Sequence, residues 1–186
     1  SEDSAKLGAQ EMAKRKPGKK DVVVGIAASG RTPFTIAAVE YARKKGAKTV
    51  AIVCNPKSPL EKAAEVGIVA DVGPEVVSGS TRMKAGTAQK MILNMLSTGA
   101  MTRLGYVYGN LMVNVHLKNT KLIERGAGIL QKITGMTRED ALEALKKAGN
   151  RVPVALVMYK AQVSGSQAER ALKLVKGNVR KAIARF

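Results

Sequence analysis

The sequence predicts an α/β fold with a parallel sheet, followed by a small three-helix domain. Apolar runs rich in β-branched residues recur at residues 22–26, 48–54 and 68–72, with helical patterns between them. Strand, helix, strand, helix, strand is the order of a parallel sheet with right-handed crossovers. The first two runs lack polar alternation, as expected of strands buried on both faces. From residue 133 onward the pattern changes to short helices separated by Gly, Asn and Ser, with no strand signal. The expected division is therefore 1–132 for the α/β part and 133–186 for the helical part.

The first run and its sequel organise the chain. Val22, Val23, Val24 and Ile26 are followed by small residues and then Ser29-Gly30-Arg31-Thr32-Pro33. Thr32 suits a helix N-cap, and Pro33 the first helical position, where a missing N–H costs nothing. Backbone N–H groups at such a turn, beside hydroxyls and Arg31, make an anion site, most naturally for a phosphate. At this point an ordinary strand-to-helix turn explains the stretch equally well.

Before this run, Ser1 is expected to cap a short helix with Glu2 and Asp3 in its first turn, where acids suit the dipole. After it, a helix is expected over 33–46, stopped at Gly46. The second strand ends at Asn55-Pro56, and a short helix runs from Ser58-Pro59 through Glu65, stopped by Gly67. Ligands of parallel sheets sit beyond the carboxyl ends of the strands. Three loops meet that edge: 29–32, 54–58 and the stretch from Gly73. Three strands make a thin sheet with an unprotected edge, which points to further sheet elsewhere.

The stretch from Gly73 to Lys90 is the second dense motif. Ser78-Gly79-Ser80-Thr81-Arg82 is a hydroxyl-rich turn with an arginine, ahead of a helix expected over 81–104. Lys84 and Lys90 near its start oppose the helix dipole, which is easier to understand if a cation there meets an anion; both also fit a solvated surface. Glu75 suits an acceptor for a sugar hydroxyl, or a plain loop carboxylate. A turn at 105–110 leads to a helix expected from about 111 to 130 with a break near Asn119. His116 is the single histidine and has no ligand-spaced partners, so it reads as structural. Thr137 with Asp140 three residues on begins the first of three terminal helices. The second spans 152–162, and Ser164-Gly165-Ser166 caps the third.

Composition narrows the function. In 186 residues, 32 Lys and Arg stand against 14 Asp and Glu, a net charge of +18. The charge raises nucleic acid as a partner. However, the basic residues are dispersed, and two Phe and four Tyr form no stacking platform, so single-strand binding is poorly supported. A basic helix-turn-helix reader rests on helix count alone. One cysteine, Cys54, excludes an internal disulfide and fits a reducing cytosol. No apolar run reaches the roughly 18–20 residues of a membrane helix. With one Cys and one His, zinc-finger spacing is impossible.

Residues 25–33 (Gly25-Ile-Ala-Ala-Ser-Gly-Arg-Thr-Pro33) and 73–90 resemble the N-acetylmuramic acid 6-phosphate etherases, as do Cys54-Asn55-Pro56, Leu93-Asn-Met-Leu-Ser-Thr98 and Tyr108-Gly-Asn-Leu-Met-Val113. That family shares a sugar-isomerase (SIS) domain with the mammalian glucokinase regulatory protein. The resemblance covers almost the whole chain, and it implies a three-layer α/β/α SIS domain closed by the three-helix domain. It implies cleavage of the D-lactyl ether of N-acetylmuramic acid 6-phosphate in peptidoglycan recycling, by elimination and hydration, with no metal or redox cofactor. By resemblance, Ser1-Glu2-Asp3-Ser4 matches an Ala-Glu-Asp-Ser segment except at its first residue, which makes Glu2 a catalytic carboxylate, the base. Substrate contacts would come from Ser29, Gly30, Arg31, Thr32, Glu75, Ser78, Ser80, Thr81, Arg82 and Lys84. The resemblance further implies a cytoplasmic homodimer.

The family's second glutamate, first phosphate loop and first strands would lie upstream of Ser1, so the chain reads as the second part of an etherase, inactive without its partner segment. Asn114 stands where the family usually has Asp, and Tyr106 where Lys is common. The alternative is a non-catalytic phosphosugar-binding regulator.

Overall fold

The computed structural model describes residues 1–186. Its contacts divide the chain into two units, Ser1–Leu96 and Ser97–Phe186. The division falls inside one helix, well before the boundary at 132/133 expected from the sequence.

The first unit is built on a three-stranded parallel sheet, β1 (Val22–Ile26), β2 (Lys48–Val53) and β3 (Val66–Val69), in the order β1-β2-β3. Val24 pairs with Val50, and Val50 with Val66. Helix α1 (Ala5–Lys14) packs on α2 (Pro33–Lys44), which packs on β1 and β2, and α3 (Pro59–Ala63) packs on β2 and β3. Val39, Ala51, Val53, Leu60 and Ala64 form the core between helices and sheet. Burial on both faces does not hold for β1. Val22 is 63% exposed and Val66 54%, and Val24 and Ile26 are also open. Side chains alternate across a strand, so Val22, Val24 and Ile26 share one face, and α2 packs against the other.

Local chemistry moves several boundaries. The N-cap of α1 is Ser4, whose Oγ accepts from Leu7 N–H at 3.2 Å, so Glu2 and Asp3 precede the helix instead of occupying its first turn. Gly8 sits where an added Cβ would lie 2.1 Å from the Phe34 carbonyl oxygen, so only glycine lets α1 approach α2 this closely. Helix α3 stops at Ala63 because Ala64 turns extended. Gly67 is no helix stop: it pairs with Ala51 inside β3, which begins two residues earlier than expected.

Helix α4 (Lys84–Arg103) begins three residues later than expected and carries the division between the units. In the second unit, residues 107–112 form a hairpin of β4 (Val107–Tyr108) and β5 (Leu111–Met112), not the start of a helix. Gly109 at φ +64 supplies its turn. Helix α5 (Thr120–Thr134) then starts at the Asn119 N-cap. The three expected helices follow as α6 (Arg138–Lys147), α7 (Val152–Ala161) and α8 (Gly165–Leu174), joined by a short α9 (Val179–Ile183). Leu130, Leu145, Leu156, Val157 and Val179 are among the residues closing their shared core. Helix α5 belongs to that core, which places it with the helices that follow it. No helix is long and apolar enough to cross a membrane.

Candidate functional site

Two cavities open at the carboxyl end of the sheet in the first unit, and both touch Ala28, Ser29 and Thr81. The first, of about 550 Å³, is lined by Glu2, Ser29, Thr32 and Thr81 among others. The second, of about 300 Å³, is lined by Ser29, Glu75, Ser78, Ser80 and Thr81, together with Cys54, Asn55 and Asp71. Residues far apart in sequence thus meet at the strand ends, where parallel sheets bind ligands.

Glu2 is held by its backbone. Phe34 N–H donates to the Glu2 carbonyl at 3.2 Å, and Ser4 N–H to the Ser1 carbonyl at 3.1 Å. The terminal turn is therefore pinned to the start of α2, and the Glu2 side chain stays exposed at the cavity rim.

The two Ser-containing turns are built alike. Ser29 Oγ accepts from Arg31 N–H and Ser80 Oγ from Arg82 N–H, each at 3.3 Å. A hydroxyl that accepts one such bond keeps its own proton to donate. Gly30 lies beneath the first turn at φ +66, and an added Cβ would meet Ser58 Oγ at 2.3 Å. Its carbonyl accepts from Leu60 N–H at 3.0 Å, which ties the turn to α3. Thr32 occupies the N-cap position of α2, but its hydroxyl makes no capping bond, and the residue lines the first cavity.

Arg31, Arg82 and Lys84 are exposed and line neither cavity, and Gly30 shapes the turn from below. Lys84 Nζ donates to the Pro74 carbonyl at 2.8 Å. Glu75 accepts from Lys84 N–H at 3.0 Å and from Ala85 N–H at 3.1 Å. The Lys84 N–H above all holds the Glu75 carboxyl below the usual carboxylate range. Burial opposes this, while the N–H groups of Ala85 and Met83 and the Lys84 charge add to it. Burial, and secondarily the Glu75 charge, pushes the Cys54 thiol up, which leaves it a poor nucleophile. Asp71, which the sequence places inside the third strand, lies just past β3, and Asn55 comes from the 54–58 loop expected at this edge. His116 lies in the second unit, beside a separate cavity with Tyr106, Asn114 and Arg151.

Together the arrangement offers an exposed carboxylate beside a wall of hydroxyl donors, a set suited to a polyhydroxylated anion and to proton transfer at one of its carbons.

Two family models match the chain: the SIS domain over residues 9–99, and the C-terminal lid domain of glucokinase regulatory protein over 109–151. The chain is 48% identical over 182 residues to the N-acetylmuramic acid 6-phosphate etherase of Lactobacillus acidophilus, covering 98% of this chain and 61% of that protein. Identity to the enzyme of the same name from Aeromonas hydrophila subsp. hydrophila is 52% over 176 residues, covering 95% and 59%. For that of Photorhabdus laumondii subsp. laumondii it is 49% over 183 residues, covering 98% and 61%. The chain spans about three fifths of the length of the curated relatives it matches.

Proposed function

We propose that the chain is a member of the N-acetylmuramic acid 6-phosphate etherase family, a reading supported by the relatives and the SIS match, and that it carries the phosphosugar site and one acid–base carboxylate of such an etherase. The observation that carries this reading is the meeting of Glu2 with Ser29, Thr32 and Thr81 around one cavity. The relatives' names supply the substrate.

In the proposed reaction the sugar is open at C1, so the aldehyde acidifies the proton on C2. Glu2 removes that proton, the electron pair forms the C2–C3 double bond, and the C3–O bond breaks, the departing oxygen taking up the proton that Glu2 gained to leave as D-lactate. Water then adds its hydroxyl at C3 and a proton at C2, giving N-acetylglucosamine 6-phosphate. An exposed carboxylate at a cavity rim suits this alternation of base and acid. The hydroxyls of Ser29, Thr32, Ser78, Ser80 and Thr81 would donate to the phosphate and sugar oxygens. Arg31, Arg82 and Lys84 would contribute charge around the rim, and the Gly30 turn would leave room for the ligand.

We further place the protein in the cytoplasm as a homodimer. The exposed apolar side chains of α4, Met91 at 59% and Met95 at 62%, support self-association. The alternative is a non-catalytic phosphosugar-binding regulator, to which the lid-domain match also relates the chain.

The test is to incubate the chain with N-acetylmuramic acid 6-phosphate and assay D-lactate. Release that falls at least about a hundredfold in Glu2→Gln supports the etherase, in line with the usual contribution of general acid–base catalysis. Binding of the phosphosugar without D-lactate release, both by this chain and by this chain supplied with the upstream segment of a relative, favours the regulator.

A further inference from the structure

Glu75 lines the second cavity, where a carboxylate would ordinarily be taken to bind sugar hydroxyls. Its contacts point elsewhere. Its two oxygens accept from the first two N–H groups of α4, those of Lys84 and Ala85. The Lys84 ammonium reaches back to the carbonyl of Pro74, the residue before Glu75. Three hydrogen bonds thus clasp residues 74–75 to residues 84–85 and close the loop 76–83 between them.

Beyond the clasp, α4 holds the far end of the loop through Gly86 N–H to the Thr81 carbonyl at 3.1 Å and Thr87 N–H to the Met83 carbonyl at 3.0 Å, while the stretch 76–80 stands open. Val76 is 90% exposed and Val77 70%, and an added Cβ at Gly73 or Gly79 would meet nothing within 4 Å. Its internal bonds are short-range: Ser80 N–H to the Val77 carbonyl, and Arg82 N–H to Ser80 Oγ. Yet Ser78, Ser80 and Thr81, which line the cavities, all sit on it. The clasp fixes the end of the loop that leads into Ser78 and Ser80, and the Gly86 N–H bond fixes the end at Thr81.

We infer that Glu75 is a positioning residue: it fixes the Ser78–Thr81 hydroxyls over the anion site through the start of α4, and does not itself hold the sugar. This rests on the phosphosugar reading of the site. It carries a sign that a direct role does not. Glu75 is an anion beside an anion site, so its charge alone disfavours phosphate, and removing it would strengthen phosphate binding by Coulomb's law. Loss of the clasp acts in the opposite direction.

The experiment is calorimetric titration of the chain with two probes, N-acetylglucosamine 6-phosphate and inorganic phosphate, for wild type, Glu75→Ala and Glu75→Gln. Inorganic phosphate has no sugar hydroxyls, so it isolates the loop. The inference predicts that Glu75→Ala weakens both probes by the same factor, about tenfold or more, the size of one to two lost charge-assisted hydrogen bonds. Glu75→Gln, whose amide oxygen still accepts from α4, recovers most of the loss for both probes while circular dichroism stays unchanged. Two results would overturn it with the phosphosugar site intact. One is weaker N-acetylglucosamine 6-phosphate binding with phosphate binding unchanged or stronger. The other is no effect of Glu75→Ala on either probe. If Glu75→Ala fails to fold, Glu75→Gln decides alone: the same factor of change for both probes upholds the inference, and weaker N-acetylglucosamine 6-phosphate binding with phosphate binding unchanged or stronger overturns it. A wild-type chain that binds neither probe overturns the phosphosugar reading itself.

Discussion

The two units use the same residue types at helix starts to different ends. In the second unit the N-caps Asn119, Thr137, Ser164 and Asn178 all accept a backbone N–H in their side chains, and Ser164 with Gln167 completes a capping box. In the first, Thr32 and Ser58 hold N-cap positions at α2 and α3 and make no capping bond. Ser58 Oγ is buried without a hydrogen-bond partner, against Gly30. The second unit closes a continuous core, whereas the first has a smaller one and leaves Val22, Val24, Ile26 and Val66 open. Of the first unit's hydroxyl N-caps only Ser4 bonds its helix; Ser58 is buried under Gly30, and Thr32 lines the first cavity at the sheet edge. Places where a chain forgoes local stabilisation are where function is expected.

Four changes would break or sharpen this contrast. The largest effect is expected in the closed core: Leu156→Ala, at a fully buried position, should cost about 2–5 kcal/mol in chemical denaturation. Gly30→Ala comes next. Its positive φ and the 2.3 Å approach to Ser58 Oγ should cost about 1–3 kcal/mol, by the scale of backbone strain, and weaken phosphate binding in titration.

A matched pair tests the comparison directly. Thr137→Val should lose about 1 kcal/mol of stability, the value of a cap. Thr32→Val should lose less than half of that, about 0.5 kcal/mol or under, but should lower affinity for N-acetylglucosamine 6-phosphate. Equal stability losses at both positions would erase the distinction. The smallest effect is in pH dependence. The Glu75 carboxyl is lowered in the folded state, so its contribution is present above the ordinary carboxylate range and is lost as pH falls through the lowered value. Thermal melts between pH 6 and pH 3 should show Glu75→Gln with a flatter acid limb than wild type.

Much of this was legible in the sequence. β1, β2 and α2 follow from uninterrupted apolar runs and from Pro33 at a helix start, and the Thr137 and Ser164 caps follow from Ser/Thr spacing. The errors have physical causes. Gly67 reads locally as a stop, but pairing with Ala51 draws it into a strand, since tertiary pairing outweighs weak local preference. The turn at 105–110 is legible from its glycines and Asn110, but the strands beside it are two residues long and show no alternation, so a helix was expected where β5 forms. Helix α9 is five residues long and too short to show a period. At the site, the two hydroxyl-rich turns could be read from spacing. The clasp of Glu75 on α4 could not, because its partners lie nine and ten residues away across an irregular loop. Nor could the role of Thr32, whose residue type predicts a cap that the fold does not use.

The most direct test of the central claim is a titration of isotopically labelled protein with N-acetylglucosamine 6-phosphate, followed by backbone amide chemical shifts. The account predicts saturable shifts that are largest at Gly30, Arg31, Ser80 and Thr81, in the first unit. Shifts centred instead on His116 and Arg151 of the basic helical unit, or no saturable shift at all, would contradict it.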